Sequence, residues 1–336
     1  MRILGLESSC DDTACAVVED GQRVLSSVVS SQDELHEQFG GVVPEVACRA
    51  HIKNILPVIE QALDDSGSDL GSMDAVAVTR APGLIGALLI GLTAAKALSW
   101  ALELPLLAVN HLQAHIYAAW LAETEPALPA VSLVVSGGHT SLFLTRDPLQ
   151  HEELGATVDD AAGEAFDKVA KILQLGFPGG PVIEQTAREG DPGAFDLPRA
   201  WLGDSLDFSF SGLKTAVLYR CLGQNASKED IEAAEYEADF VADMAASFQE
   251  AVVDVVVEKS CSAVERTGAR ALIVGGGVAA NSVLRRRLLH RAGERGFEVY
   301  LAPGQFCCDN AAIIAGLGYH QLKAGRTAPL TVEASP

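Results

Sequence analysis

Short apolar and β-branched runs open the chain: Ile3 to Leu6, Ala14 to Val18 and Val24 to Val29, separated by ESSCDD and EDGQ. Runs of this length between polar, glycine-containing turns predict three strands of an antiparallel meander. After Gly40-Gly41 the apolar spacing becomes helical, and Pro44 opens a helix expected through Leu63, ending near Ser66-Gly67. The same reading places strands at Ala75 to Val78 and Leu106 to Val109, with helices at Gly86 to Ala101 and His111 to Ala122. This alternation predicts an α/β protein.

At Val131 the layout restarts. VSLVVSGGHTSLFLTRD repeats the order seen in RILGLESSCDDTACAVVED, an apolar strand, a small and polar hairpin, then a second apolar strand, which reads as an internal duplication. Between the copies, Glu123 to Pro129 carries two prolines and two acids and is the expected linker. Helices follow at Ala161 to Leu173 and Gly212 to Cys221, with FPGGP as a turn and a long helical stretch from Ile231 to Arg266. The remainder reads as strand Ala271 to Val274, helix Asn281 to Arg295, strand Glu298 to Leu301 and helix Asn310 to Lys323. Two related lobes with a cleft between them are the expected organisation, one from 1–125 plus 308–336 and the other from 130–307.

Composition narrows the class. A chain of 336 residues, 49% apolar and 21% charged, can bury real cores and is neither disordered nor fibrous. Its net charge of -21 argues against a general nucleic-acid coat, because neutralising phosphates needs a cationic face. One basic run, Arg285-Arg286-Arg287 with Arg291 and Arg295, stands against that background as a candidate phosphate contact or a solvated helix face. Seven cysteines without a C-x-x-C pair fit neither a disulfide framework nor a zinc knot, which predicts a reducing, cytoplasmic setting. Leu84 to Ala95, the most apolar stretch, is cut by Lys96 and reads as too short for a membrane helix, so no membrane partner is expected.

Two loops leaving buried strands, Ser8 to Thr13 and Ser136 to Thr140, offer consecutive backbone N–H groups that can cradle an anion. Either alone is an ordinary hairpin turn; their repetition favours a ligand role. Gly275-Gly276-Gly277 follows a strand and precedes the helix at Asn281, where a nucleotide contact is expected, although the G-x-G-x-x-G pattern is absent. His111 and His115, four apart at a helix start, present both imidazoles on one face, and Asp309 is a candidate third metal ligand. A zinc-peptidase reading lacks its base, since Leu112 stands where H-E-x-x-H has Glu. Cys307-Cys308 reads as small buried hydrophobes. Asp159, Asp160, Glu164 and Asp167 are either a carboxylate cluster or acids at a helix amino terminus.

Taken together, GLESSCDDTACAV, FGGVVPEVACRAH, APGLIGALLIGLTAAKAL, NHLQAH, VSLVVSGGHTSL, DDAAGEAFDKVAKIL, PGGP, DFSFSGLKTA, GGGVAAN and FCCDNAAIIA resemble one family nearly end to end. It is the universal tRNA threonylcarbamoyladenosine transferase subunit of the bacterial TsaD type, once misnamed a sialoglycoprotease. The resemblance implies a duplicated actin-like, Hsp70-like, sugar-kinase-like fold holding an adenine nucleotide in a central cleft. It matches His111, His115 and Asp309 to ligands of one divalent metal ion, iron or zinc. Val134, Val135, Ser136, Gly137, Gly138, Asp167, Gly180 and Asn281 match contacts to the nucleotide and to threonylcarbamoyl-AMP, and Asp11 matches an acid needed for activity. Departures are local: Ala81 replaces a common Gly and Cys308 a common Thr.

The implied reaction moves the L-threonylcarbamoyl group of threonylcarbamoyl-AMP to N6 of the adenosine 3′ of the anticodon, in tRNAs reading codons that begin with A. The implied partners are tRNA, a TsaB-like paralogue and a TsaE-like ATPase, with a TsaC-like enzyme supplying the adenylate. The rival class is an actin-like, ATP-dependent binding switch; a metalloendopeptidase is a distant third.

Overall fold

The computed structural model describes every residue except Glu123 and Ala226. The strands are β1 Arg2–Glu7, β2 Thr13–Glu19, β3 Arg23–Ser30, β4 Ala75–Ala81, β5 Leu106–Asn110, β6 Ala130–Val135, β7 Thr140–Asp147, β8 Gln150–Ala156, β9 Ala271–Gly275 and β10 Glu298–Leu301. The helices are α1 Asp33–Glu37, α2 Pro44–Ser66, α3 Ile85–Leu102, α4 His111–Tyr117, α5 Ala162–Ile172, α6 Gly179–Thr186, α7 Ser211–Leu222, α8 Lys228–Ala233, α9 Ala238–Thr267, α10 Ser282–Arg295 and α11 Ala311–Lys323.

Two five-stranded sheets carry these elements, ordered β3-β2-β1-β4-β5 and β8-β7-β6-β9-β10. In the first, β1 pairs antiparallel with β2 and parallel with β4; in the second, β6 pairs antiparallel with β7 and parallel with β9. The two orders are one topology used twice, so the repeat legible at Val131 is a structural duplication. Sequence reading missed β8, whose QHEELGA lacks an apolar run and buries only Gly155 fully.

The chain divides into two compact units, 1–125 with 146–151 and 302–336, and 126–145 with 152–301. The boundaries differ from those expected in that both 146–151 and 302–307 go with the first unit; the latter leads directly into α11, which packs on β1 and β2. Glu123, the first residue of the expected linker, lies outside the described residues.

Central strands are buried on both faces: every residue of β6 is buried, and β1 is buried from Ile3 onward. In the first unit Leu4, Leu6, Val17, Val76 and Val78 pack with Ile55, Val58 and Ile59 of α2 and Leu92 of α3. Gly5 marks how closely α11 lies on the opposite side, since a Cβ there would stand 2.4 Å from the carbonyl oxygen of Ala311.

Three expectations need correction. The apolar stretch read as too short to span a membrane because Lys96 cuts it belongs to α3, which runs 18 residues, close to the expected Gly86 to Ala101, and is, by length and composition, apolar enough to cross a membrane. It lies against α2 and β4 with Ala87, Leu88, Leu92 and Ala95 buried, and Lys96 reaches the Val332 carbonyl. The stretch read as one helix from Ile231 is two, α8 and α9, separated at 234–237; α8 begins earlier than expected, where Ser227 and Asp230 form a capping box. FPGGP is more than a turn; it starts α6 at Gly179.

Candidate functional site

In the first unit, the parallel strands β1, β4 and β5 end in the segments that build one polar cluster. β5 ends at Asn110, whose side chain accepts the Gln113 N–H at 3.1 Å and so starts α4 with His111 as its first residue. His115 lies one turn on. Asn310 performs the same task for α11, accepting the Ile313 N–H at 3.2 Å and donating to the Cys308 carbonyl at 2.8 Å, which fixes Asp309 between them. His115 Nε2 is 3.1 Å and His111 Nε2 3.5 Å from Asp309 Oδ1, and one ligand atom from each of the three residues lies within 4.8 Å of the others. Two imidazole nitrogens and a carboxylate oxygen suit a divalent transition metal. Neither vicinal cysteine belongs to this group: the Cys307 thiol is buried and faces the Ala302 carbonyl, whereas Cys308, also read as a small buried hydrophobe, is exposed.

Behind His111 stands Glu7, the last residue of β1 and fully buried. Its carboxylate accepts the Ser9 N–H at 2.6 Å and the Thr79 hydroxyl at 2.7 Å, and lies 3.1 Å from His111 Nδ1. Burial by itself would lower the His111 pKa, but the Asp309 and Glu7 carboxylates outweigh it and carry it up to about 9. Sequence reading passed over Glu7 as part of a turn. An acid ending a wholly buried strand was the available signal, because such a charge needs a partner.

The loop Ser8 to Asp12 is held by residues remote in sequence. Ser8 donates to the Ala87 carbonyl at 2.9 Å. His51 of α2, also fully buried, is 3.0 Å from the Cys10 carbonyl through Nε2 and 2.7 Å from the Thr13 hydroxyl through Nδ1. A carbonyl only accepts, so Nε2 carries hydrogen; burial lowers the ring's pKa, so Nδ1 accepts from Thr13. Within this loop, burial and the Asp309 charge raise the Asp11 carboxyl above the usual carboxylate range and push Asp12 to about 8.

The second unit repeats the scheme with glycine. β6 ends at Val135; Ser136 donates its N–H to the His139 carbonyl at 2.8 Å, closing the turn around Gly137 and Gly138, where an added Cβ would meet nothing within 4 Å. The Gly163 N–H of α5 binds the Ser136 carbonyl at 3.1 Å. Gly276, at φ +97°, brings its loop so close that a Cβ would sit 2.4 Å from the Val135 carbonyl oxygen. Asn281 caps α10 by accepting the Leu284 N–H at 3.0 Å and donates to Gln249 at 2.8 Å. Asp167 accepts the Gly179 N–H at 2.7 Å, and Glu184, one turn beyond Gly180, binds both the backbone and hydroxyl of Ser282. Val134 to Gly138 and Asn281 thus flank the carboxyl ends of β6 and β9, the usual ligand position of such sheets, while Asp167 lies within α5 and meets Gly179, the neighbour of Gly180. Gln249 and Glu184 were not anticipated.

Two sequence readings do not survive the geometry. Asp159 does not serve its own helix; it caps α7, accepting from the Phe210 and Ser211 N–H groups and both the Ser209 and Ser211 hydroxyls. Asp160 and Glu164 pair with Lys168 at 2.7 and 2.8 Å, so the four acids form no catalytic cluster. Three of the five arginines of α10 are not free cations either. Arg287 bridges Glu250 and Asp254, Arg291 pairs with Glu258 and Glu294, and Arg295 with Glu258 and Glu265, a ladder that joins α10 to α9.

A family model described as TsaD, tRNA N6-adenosine threonylcarbamoyltransferase, matches residues 23–316. The chain belongs to this family. A tRNA N6-adenosine threonylcarbamoyltransferase of Moorella thermoacetica is 50% identical over 100% of this chain and 96% of its own length, and one of Syntrophobacter fumaroxidans is 53% identical over 96% and 95%. Relatives this similar over their full length share the activity, acyl transfer to tRNA adenosine. Among solved structures, T. kodakarensis HypF matches with a TM-score of 0.62 at 16% identity, covering 96% of this chain and 48% of that one. Component A of Acidaminococcus fermentans (R)-2-hydroxyglutaryl-CoA dehydratase matches with 0.51 at 15% identity, covering 96% and 99%. At such identities the likeness shows the fold, the duplicated actin-like and sugar-kinase-like α/β architecture.

Proposed function

We propose that the chain takes L-threonylcarbamoyl-AMP as donor and modifies N6 of the adenosine immediately 3′ of the anticodon in tRNAs reading codons that begin with A. The observation that carries this reading is the convergence of His111, His115 and Asp309 within 4.8 Å beside the Ser8–Asp12 loop, in a chain of this family. N6 attacks the carbamoyl carbon, the carbon–oxygen bond to the phosphate breaks, AMP departs and the N6 proton passes to a base.

The loop at Gly137 and Gly138, open where side chains would stand, suits the approach of the AMP phosphate to backbone N–H groups. Val134, Val135, Ser136, Asp167, Gly180 and Asn281 complete the adenylate site. Asp11 is the base in this reading: its raised pKa makes it a better proton acceptor than an ordinary aspartate. His111, His115 and Asp309 would hold one divalent metal ion, iron or zinc, which supplies Lewis acidity toward the donor's oxygens.

Partners supply what the acidic chain lacks. A TsaB-like paralogue, a TsaE-like ATPase and a TsaC-like adenylate source fit the family, and tRNA and these proteins place the work in the cytoplasm. An apolar surface supports protein docking: Ile52 and Leu56 of α2 are 66% and 64% exposed, and Ile85 and Leu89 of the adjoining α3 are about half exposed. The switch and peptidase alternatives are not favoured beside relatives named for the transferase. The test is to incubate the chain with the three partners, L-threonine, bicarbonate, ATP and unmodified tRNA and to analyse the digested nucleosides by mass spectrometry. Threonylcarbamoyladenosine that requires this chain is the expected product; its absence from the complete mixture would sink the reading.

A further inference from the structure

We propose that Glu7 is the positioning residue that makes His111 an Nε2 ligand, by accepting the Nδ1–H of its imidazole. The inference rests on the metal reading of His111, His115 and Asp309. Glu7 is 0% exposed, and a carboxylate so placed is tolerable only when donors surround it. It has three: the Ser9 N–H on Oε1 at 2.6 Å, the Thr79 hydroxyl on Oε2 at 2.7 Å, and His111 Nδ1 on Oε2 at 3.1 Å. The first two favour the ionised carboxylate, which can only accept. Nδ1 must then carry the proton.

A competitor for the same nitrogen is Ser9 Oγ, 3.2 Å away. Were the Ser9 hydroxyl to donate to Nδ1, the nitrogen lone pair would face the Glu7 carboxylate at 3.1 Å with no hydrogen between them, a repulsive contact in a buried site. Glu7 therefore decides the tautomer. With Nδ1–H held on Glu7, Nε2 is the nitrogen left to give its lone pair to a metal ion on the Asp309 side, the arrangement in which a carboxylate orients a metal-bound histidine and raises its basicity. His115 offers the internal contrast, because its buried Nδ1 has no hydrogen-bond partner among the described residues. The consequence for the sequence is that the Glu of GLESS serves the histidine of NHLQAH, 104 residues later.

The test is Glu7→Gln. Ser9 N–H still needs an acceptor at one position, so the amide oxygen turns there and the NH2 faces His111 Nδ1; that favours a proton on Nε2, where the metal must bind. Metal-free wild type, Glu7→Gln and His115→Ala are titrated with Zn2+ against a competing chelator, and side-chain 15N spectra of the zinc-loaded proteins are recorded. Expected are roughly 10- to 100-fold weaker zinc binding in Glu7→Gln and, in wild type, a His111 ring bearing hydrogen at Nδ1 and metal at Nε2. Zinc affinity lost in His115→Ala but unchanged in Glu7→Gln would overturn the role of Glu7 alone. Unchanged affinity in His115→Ala would overturn the metal reading and this inference with it. Should Glu7→Gln fail to fold, the wild-type spectrum still decides: zinc on Nδ1, or no proton there, rejects the proposal.

Discussion

Asp167 Oδ1 accepts the Gly179 N–H at 2.7 Å, tying the first residue of α6 to the body of α5. Of the residues matched to adenylate binding, Asp167 thus has a structural partner that its place mid-helix does not disclose. Asp167→Ala removes a hydrogen bond to a charged group, worth about 1.5–3 kcal/mol, and releases the segment carrying Gly180. A lower unfolding midpoint together with weaker AMP binding by calorimetry is expected. Asp167→Asn, which still offers an oxygen, should recover most of both; an alanine variant indistinguishable from wild type would contradict the assignment.

Gly137 and Gly276 separate binding from folding. A Cβ at Gly137 meets open space, so Gly137→Val should fold with a nearly wild-type midpoint yet obstruct the adenylate phosphate and weaken AMP binding at least about tenfold. Gly276 combines φ +97° with a Cβ position 2.4 Å from the Val135 carbonyl oxygen, so Gly276→Ala should destabilise the protein by about 1–3 kcal/mol. The reverse pattern, a damaged fold at 137 and a tolerated change at 276, would show the two loops to be wrongly described.

Arg291→Glu should act on stability. It places a third acid beside Glu258 and Glu294 in the α9–α10 ladder, and a small drop in the unfolding midpoint is expected from exposed pairs of this kind. Because Arg291 already has carboxylate partners, tRNA binding by the assembled complex should keep its salt dependence. A log–log salt slope reduced by about one unit would return Arg291 to the role of a phosphate contact.

His51 makes stability depend on pH. Burial lowers its pKa in the folded protein, whereas the unfolded chain protonates near the ordinary value of about 6.5. As pH falls below that value the unfolded state binds the proton first, so the contribution of His51 is present at pH 8 and lost on acidification. His51→Ala, which leaves the Cys10 carbonyl and Thr13 hydroxyl without their partner, should cost about 1–3 kcal/mol at pH 8 and progressively less at pH 6 and 5. Urea midpoints for both proteins across this range check it; a penalty that grew on acidification would mean that His51 is charged in the folded state.

Strand runs and the restart at Val131 were legible because a strand buried on both faces must be largely apolar, and β1 and β6 are apolar except for Arg2, Glu7 and Ser132. The same rule explains the miss at β8, a half-buried edge strand with little core to encode. The pairing of His111 with His115 was legible from helical spacing. Asp309 was reachable as a candidate, but its meeting with the histidines depends on α11 lying against α4.

Local chemistry thus determined, from the sequence alone, where chain segments become strand, helix or glycine turn, and the order of motifs was enough to mark the family. What those segments touch was a matter of tertiary structure. A glutamate reads as a turn residue until burial forces it to find a proton donor, and Glu7 finds His111. Five arginines in one helix read as a cationic face until a parallel run of acids on α9 neutralises three of them. Charge and hydrogen-bonding capacity are properties of residues, but whether they are satisfied within the fold or left for a ligand depends on neighbours a hundred positions away.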